Sequence, residues 1–425
     1  MRVVVGWLLV AAMQLMPMLA AAQGSADERS FNADESTEIP LLRYGADGGQ
    51  VLLWLPSESG LLEQERALAE QLAARGIEVW LADLHLAYFL PTVESSFERM
   101  PPEHVAALIQ HVRQETGRSV VVVGPGRAAV LALSGARAWQ LRHAEESPLG
   151  GVLLISPKLF VQTPEPGLEG DLLPVAHASD LPIFILQPAK SIWRWKLDRI
   201  IPALGEAGSD VYAQLLPEVR DRFYYRPDAV DAEAAMAERL PDIIANALPK
   251  LALVADRPRS PAAELAQTKR SLEGRTDRRL RPYKGEPTPP ELRLQDLEGS
   301  VHDLKDYRGE VVLVNFWATW CPPCVHEMPS MQRLKERLAG EPFRILAVDM
   351  AEDQVTVEDF LERMVDVDFT ILMDTDGAAL GRWKVFAFPT TYVVDKAGRI
   401  RYALFGAIDW DDDDVVAKVE GLVAE

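Results

Sequence analysis

The sequence predicts an α/β protein of two domains, and three observations carry that prediction. At 425 residues the chain is about three times an ordinary domain in length. Short continuous apolar runs alternate with amphipathic helical stretches over residues 41–251 and again over 285–425. That pattern marks strands buried on both faces of a mostly parallel sheet by covering helices. Between the two regions the composition changes: over residues 257–284 nine Lys/Arg residues stand against Glu264, Glu273 and Asp277, and prolines punctuate the stretch.

The elements follow in order. A polar leader occupies residues 23–40. Residues 51–55 (Val-Leu-Leu-Trp-Leu) form a strand, residues 62–75 a helix stopped by Gly76, and residues 78–82 the next strand. A helix over 105–116, a β-branched strand over 119–123, a helix over 128–138 and strands at 151–155 and 183–186 continue the alternation. Segments 197–204, 211–216 and 230–247 complete this domain near Leu251. Residues 252–284 read as a solvated hinge with a short helix over 262–273; docking of its positive charge on an acidic partner or on the protein's own acidic surface is the alternative. The second domain, from 285, carries a strand at 311–316, a helix at 321–338, a strand at 343–348 and a helix at 357–364. A hairpin of 391–394 and 400–405, turned by Asp395-Lys396-Ala397-Gly398, precedes a last helix over 411–423. The run Asp411-Asp412-Asp413-Asp414 offsets the dipole of that helix's first turn rather than marking a cation site.

With 48% hydrophobic residues the chain can bury real cores, and 27 glycines and 30 prolines exclude collagen-like and wholly disordered readings. Lys+Arg at 44 against Asp+Glu at 64 gives a net charge of −20, which repels phosphate backbones, so no nucleic-acid partner is expected. The first residues predict the compartment. Arg2, an apolar stretch over 3–13 and the small residues Ala20-Ala21-Ala22 read as a secretory signal peptide, residues 1–22, placing the mature protein in the periplasm. An uncleaved anchor, with membrane association, is the alternative, which Gln14 and Pro17 disfavour.

Only two cysteines exist, Cys321 and Cys324, in one Cys-Pro-Pro-Cys run. A structural zinc would need two further ligands, and none of the seven histidines is spaced to supply them, so no metal site is expected. The run follows the β-rich stretch 311–316 and opens an amphipathic helix. A thiol at a helix N-terminus meets unpaired backbone N–H groups and the positive end of the dipole, both of which favour thiolate. Cys321 is therefore expected to be the exposed nucleophile. Cys324, one turn on, is placed to resolve a mixed disulfide, and the prolines suit a first turn whose N–H groups lack partners. Glu327 lies three residues after Cys324 on the same helical face, a candidate proton acceptor. A carboxylate within reach is needed if Cys324 is to lose its proton.

The residues Asn315-Phe316-Trp317-Ala318-Thr319-Trp320-Cys321-Pro322-Pro323-Cys324-Val325-His326-Glu327-Met328-Pro329 resemble the active-site signature of TlpA-like thiol-disulfide oxidoreductases, the extracytoplasmic thioredoxin-fold group that includes ResA and CcmG (DsbE). The resemblance runs over residues 286–425 and includes Phe388-Pro389-Thr390-Thr391. It implies a thioredoxin fold, a redox disulfide Cys321–Cys324, no cofactor, and Glu327 as the acid assisting proton transfer. It also implies Pro389 as a cis-proline whose loop, with Phe388, faces the cysteines and binds substrate, and Trp320 as part of that surface. Partners so implied are protein disulfides, apocytochrome c or copper-site assembly proteins among them, and a membrane electron donor of the DsbD/CcdA type. The expected reaction is reduction of protein disulfides. Oxidation or isomerisation by the same cysteines, and an adaptor whose first domain holds the client, are the alternatives.

Residues 41–251 more faintly resemble an α/β-hydrolase domain, through Leu52-Leu53-Trp54-Leu55-Pro56, the helix-strand unit 68–83 and Val121-Val122-Val123-Gly124-Pro125-Gly126-Arg127-Ala128. The last stretch sits where a Gly-x-Ser-x-Gly nucleophile elbow would lie, but Gly126 takes the nucleophile's place. The acid's loop reads Gln187-Pro188-Ala189-Lys190-Ser191, and the histidine loop expected near 218–225 holds no histidine. A noncatalytic hydrolase relative is the expectation. Gly124 to Ala129 also fits a dinucleotide-loop pattern, but Pro125 stiffens it and it lies outside the first βαβ unit.

Overall fold

The computed structural model describes residues 26–46, 48–146, 148–266, 279–364 and 366–425. Two eight-stranded sheets organise them. The first contains β1 (Asp27–Asn32), β2 (Glu38–Tyr44), β3 (Gln50–Trp54), β4 (Ile77–Ala82), β5 (Val120–Pro125), β6 (Gly151–Ile155), β7 (Pro182–Lys190) and β8 (Asp210–Arg220). Their spatial order is β1-β2-β4-β3-β5-β6-β7-β8. β1 and β2 run antiparallel, and β4 through β8 form a parallel set with β3. Every residue of β4, β5 and β6 is buried, as continuous apolar strands covered on both faces require. Val51 and Leu53 point into one core layer, Leu52 and Trp54 into the other.

The second sheet contains β9 (Arg281–Pro282), β10 (Arg293–Asp296), β11 (Val301–Asp303), β12 (Val311–Trp317), β13 (Phe343–Met350), β14 (Thr370–Asp374), β15 (Thr390–Val394) and β16 (Ile400–Phe405). The order is β11-β10-β14-β13-β12-β15-β16-β9. β12, at the centre, pairs parallel with β13 and antiparallel with β15. Leu313 and Trp317 face the layer that holds the cysteines, and Val314 and Phe316 face the opposite one.

Several expectations need correction. The leader region contains strands that the sequence did not announce: residues 27–44 form the β1–β2 hairpin, an edge whose polar side chains can stay in water while its backbone pairs. The second unit begins before residue 285, because Leu280 is buried in its core and Arg281–Pro282 pairs with β16. The solvated-hinge reading fails at the start of the linker, where Arg259 is almost wholly buried and binds Asp180 at 3.1 Å and Asp210 at 2.8 Å. Residues 262–266 are not helical. The rest of the expected linker helix, and the signal peptide expected over 1–22, lie outside the described residues. Thr370–Asp374 is a strand too short and mixed to stand out in the sequence. Among the described residues, no helix is long and apolar enough to cross a membrane and no cluster of side chains could hold a metal ion.

Candidate active site

The loop after β12 delivers Cys321 to the start of the helix Pro322–Arg337. Cys321 caps that helix, its Sγ accepting the Cys324 N–H at 3.3 Å, and Pro322 and Pro323 fill first-turn positions that have no acceptor to reach. Cys324, Glu327, Met328, Met331 and Leu334 form the helix's buried stripe, at the spacing that one face of an α-helix demands. The two cysteines are joined by a disulfide with Cα atoms 5.3 Å apart. Cys321 is not exposed as expected: it retains 6% of its accessible surface against 1% for Cys324. Cys321 belongs to a buried apolar cluster against which Trp320 and Phe388 also pack.

Glu327 is buried behind the cysteines. One oxygen accepts Asn315 Nδ2 at 2.8 Å; the other accepts Trp410 Nε1 at 3.0 Å and the Ile408 N–H at 3.4 Å. Burial pushes its carboxyl up to about 7, against these three hydrogen bonds, which favour the ionised form. In the disulfide state it bonds to neither sulfur. Asn315 Nδ2 also donates to Thr391 Oγ1 at 2.8 Å, a contact set by the β12–β15 register that pairs these two residues.

The approach to Cys321 is fixed from the other side by Glu352, whose carboxylate accepts the Thr319 N–H at 2.6 Å and the Thr319 hydroxyl at 2.7 Å. Asp349 lies beside it; burial, then the charge of Glu352, holds its carboxyl well above the usual range. Phe388–Pro389 is a cis peptide bond. Pro389 is buried, and the Phe388 ring meets the Trp320 ring edge-on at 5.7 Å. The structure therefore gathers all six singled-out residues, Trp320, Cys321, Cys324, Glu327, Phe388 and Pro389, in one place. Trp410 and Glu352 escaped sequence reasoning, since each arrives from a distant segment with no local mark.

Residues 286–403 match the AhpC/TSA family. The thiol-disulfide oxidoreductase ResA of Geobacillus thermodenitrificans (strain NG80-2) is 40% identical over 125 residues, 29% of this chain and 71% of the relative. The chain belongs to the ResA family of thiol-disulfide oxidoreductases. ResA of Bacillus subtilis (strain 168) is 31% identical over 119 residues, 28% of this chain and 66% of the relative. Among solved structures, a thiol:disulfide interchange protein of the thioredoxin family from Chlorobium tepidum TLS aligns at 24% identity and TM-score 0.29, covering 33% of this chain and 99% of its own. StoA from Bacillus subtilis aligns at 21% identity and TM-score 0.27, covering 33% and 99%. The ResA likeness places a thioredoxin-fold enzyme at the C-terminus and leaves the first sheet outside it.

In the first sheet, the turn after β5 puts Gly126 at φ +56°, a left-handed conformation that disfavours other residues. The space a side chain there would need is taken by the carboxylate of Glu58. That carboxylate accepts the Arg127 N–H at 3.0 Å, Lys158 Nζ at 2.6 Å and the Arg222 guanidinium at 3.2 Å. Burial works against its ionisation, but the Lys158 charge and the Arg127 N–H outweigh it and hold the carboxyl at about 2. Asp221 accepts hydroxyl hydrogen bonds from Ser156 and Ser191 nearby. Only about 20 Å³ of cavity remains among these groups, and no histidine lines it.

Proposed function

We propose that the chain is an extracytoplasmic reductase of protein disulfides. Cys321 thiolate attacks a client disulfide, forming a mixed disulfide and releasing one client thiolate. Cys324 then displaces the second client sulfur, so the enzyme's dithiol becomes the Cys321–Cys324 disulfide while the client's becomes two thiols. Glu327 takes the proton of Cys324, and Trp320, Phe388 and Pro389 contact the client. A membrane dithiol donor of the DsbD/CcdA type restores the reduced pair, and apocytochrome c or copper-site assembly proteins are the client class. The observation that carries the reading is the pairing of a helix-capping sulfur with a buried carboxyl near neutrality on the same helix. The signal-like sequence of Arg2, the apolar stretch 3–13 and Ala20-Ala21-Ala22 supports the compartment. The test is equilibration of the cysteine pair against dithiol buffers: a reductase predicts a potential near the roughly −270 mV of thioredoxin, and a value near the roughly −120 mV of DsbA makes the chain an oxidant.

We further infer that the first domain is a noncatalytic relative of α/β-hydrolases. The sharp turn at Gly126 after a central parallel strand supports it. Glu58 occupies the backbone N–H that an oxyanion would otherwise use, and glycine supplies no nucleophile.

A further inference from the structure

The first domain grips the segment that leads into Pro389. Phe386, three residues before that proline, is buried among first-domain side chains. Its ring meets Phe160 edge-on at 5.1 Å and Trp193 at 5.7 Å. Lys196 Nζ stands 4.8 Å over the same ring and donates to Val385 O at 2.8 Å. Glu165 pairs with Lys284 at 3.4 Å at the edge of this contact. The loop expected to face the client is thus seated on the other domain.

Beside that contact lies a cleft of about 360 Å³ with walls from both domains. Pro164 and Pro166 line one side; Ala387, Phe388, Phe405 and Gly406 line the other. Phe388, one of the lining residues, also touches Trp320, the neighbour of Cys321, which ties the cleft to the loop that carries the disulfide. Ala387 O accepts the Thr390 hydroxyl and Pro389 O accepts the Gly406 N–H at 2.9 Å, whereas the Phe388 backbone makes no hydrogen bond among the described residues. A free donor and acceptor on one residue is what an extended chain pairs with. The first-domain wall sets two prolines, which have no N–H to offer and present an apolar edge, among Thr163 and Glu165, and Arg279 and Arg281 also line the cleft.

We propose that this cleft receives the extended polypeptide flanking the client cysteine, with the first domain's Pro164 and Pro166 as the second wall of the client site. The proposal rests on the disulfide-reductase reading and gives the first domain its role: it selects extended polypeptide clients over small disulfides, which are too short to span the cleft. The full chain is assayed with insulin as the protein disulfide and oxidised glutathione as the small one, using Pro166→Trp and Pro164→Arg to narrow the cleft. For both variants kcat/KM on insulin falls about tenfold, the scale of one well-packed contact, with the glutathione rate unchanged. Insulin rates within about twofold of the unmodified chain overturn the proposal, as does an equal loss on both substrates. An unmodified chain that reduces neither substrate overturns the reductase reading instead.

Discussion

Asn315 Nδ2 and a carboxylate oxygen of Glu327 lie 2.8 Å apart in the buried layer behind the cysteine pair. The strand contributes the amide and the helix contributes the acid. The consequence is a buried carboxyl on the cysteine helix, pushed up to about 7 by burial. Replacing it by glutamine removes the ionisation near pH 7 from the pH–rate profile of disulfide reduction and slows turnover by about 10²-fold, the lower range for a positioned acid–base group. Stability provides a second readout. A carboxyl raised from 4.5 to about 7 contributes stability that is present below pH 4.5 and lost as pH rises through 7. Between pH 4.5 and 8 the unmodified chain therefore loses about 3 kcal/mol relative to Glu327→Gln, measured by urea unfolding.

Trp410→Phe keeps most of the buried ring but removes the Nε1–H that binds Glu327 at 3.0 Å. That hydrogen bond favours the ionised form. Its loss raises the carboxyl's proton affinity about tenfold and moves the pH–rate midpoint to more alkaline values. An unmoved midpoint would show that the indole does not tune the acid.

Gly126→Ser tests the first domain. The new side chain meets the Glu58 carboxylate, and the backbone stays in a left-handed conformation. The variant gains no ester hydrolysis, measured with p-nitrophenyl acetate. It loses about 1–3 kcal/mol of unfolding free energy, because overpacking and backbone strain combine.

How much of this was legible in the sequence depends on distance along the chain. The strand 311–316, the helix that follows it and the shared face of Cys324 and Glu327 are local patterns, and each reappears in place. Trp410 reaches Glu327 across 83 residues, so no local periodicity could announce it. Phe386 looks like any core aromatic in sequence, yet it packs between domains. Asp27–Asn32 alternates weakly and is mostly polar, as an edge strand can be, which hid it in the leader. Arg259 reads as solvated charge because sequence does not show that Asp180 and Asp210 converge on it. Cys321 is less accessible than its place at a helix start implies, since the apolar cluster that buries it is assembled from distant segments.

The central claim, that Cys321 attacks and Cys324 resolves, is tested most directly by trapping. Cys324→Ala, incubated with a disulfide-bonded protein such as insulin, is expected to accumulate a covalent adduct that dithiothreitol releases and peptide mapping places on Cys321. Cys321→Ala is expected to form none. Adduct on Cys324 in the Cys321→Ala variant, with none on Cys321 in its counterpart, would contradict the account.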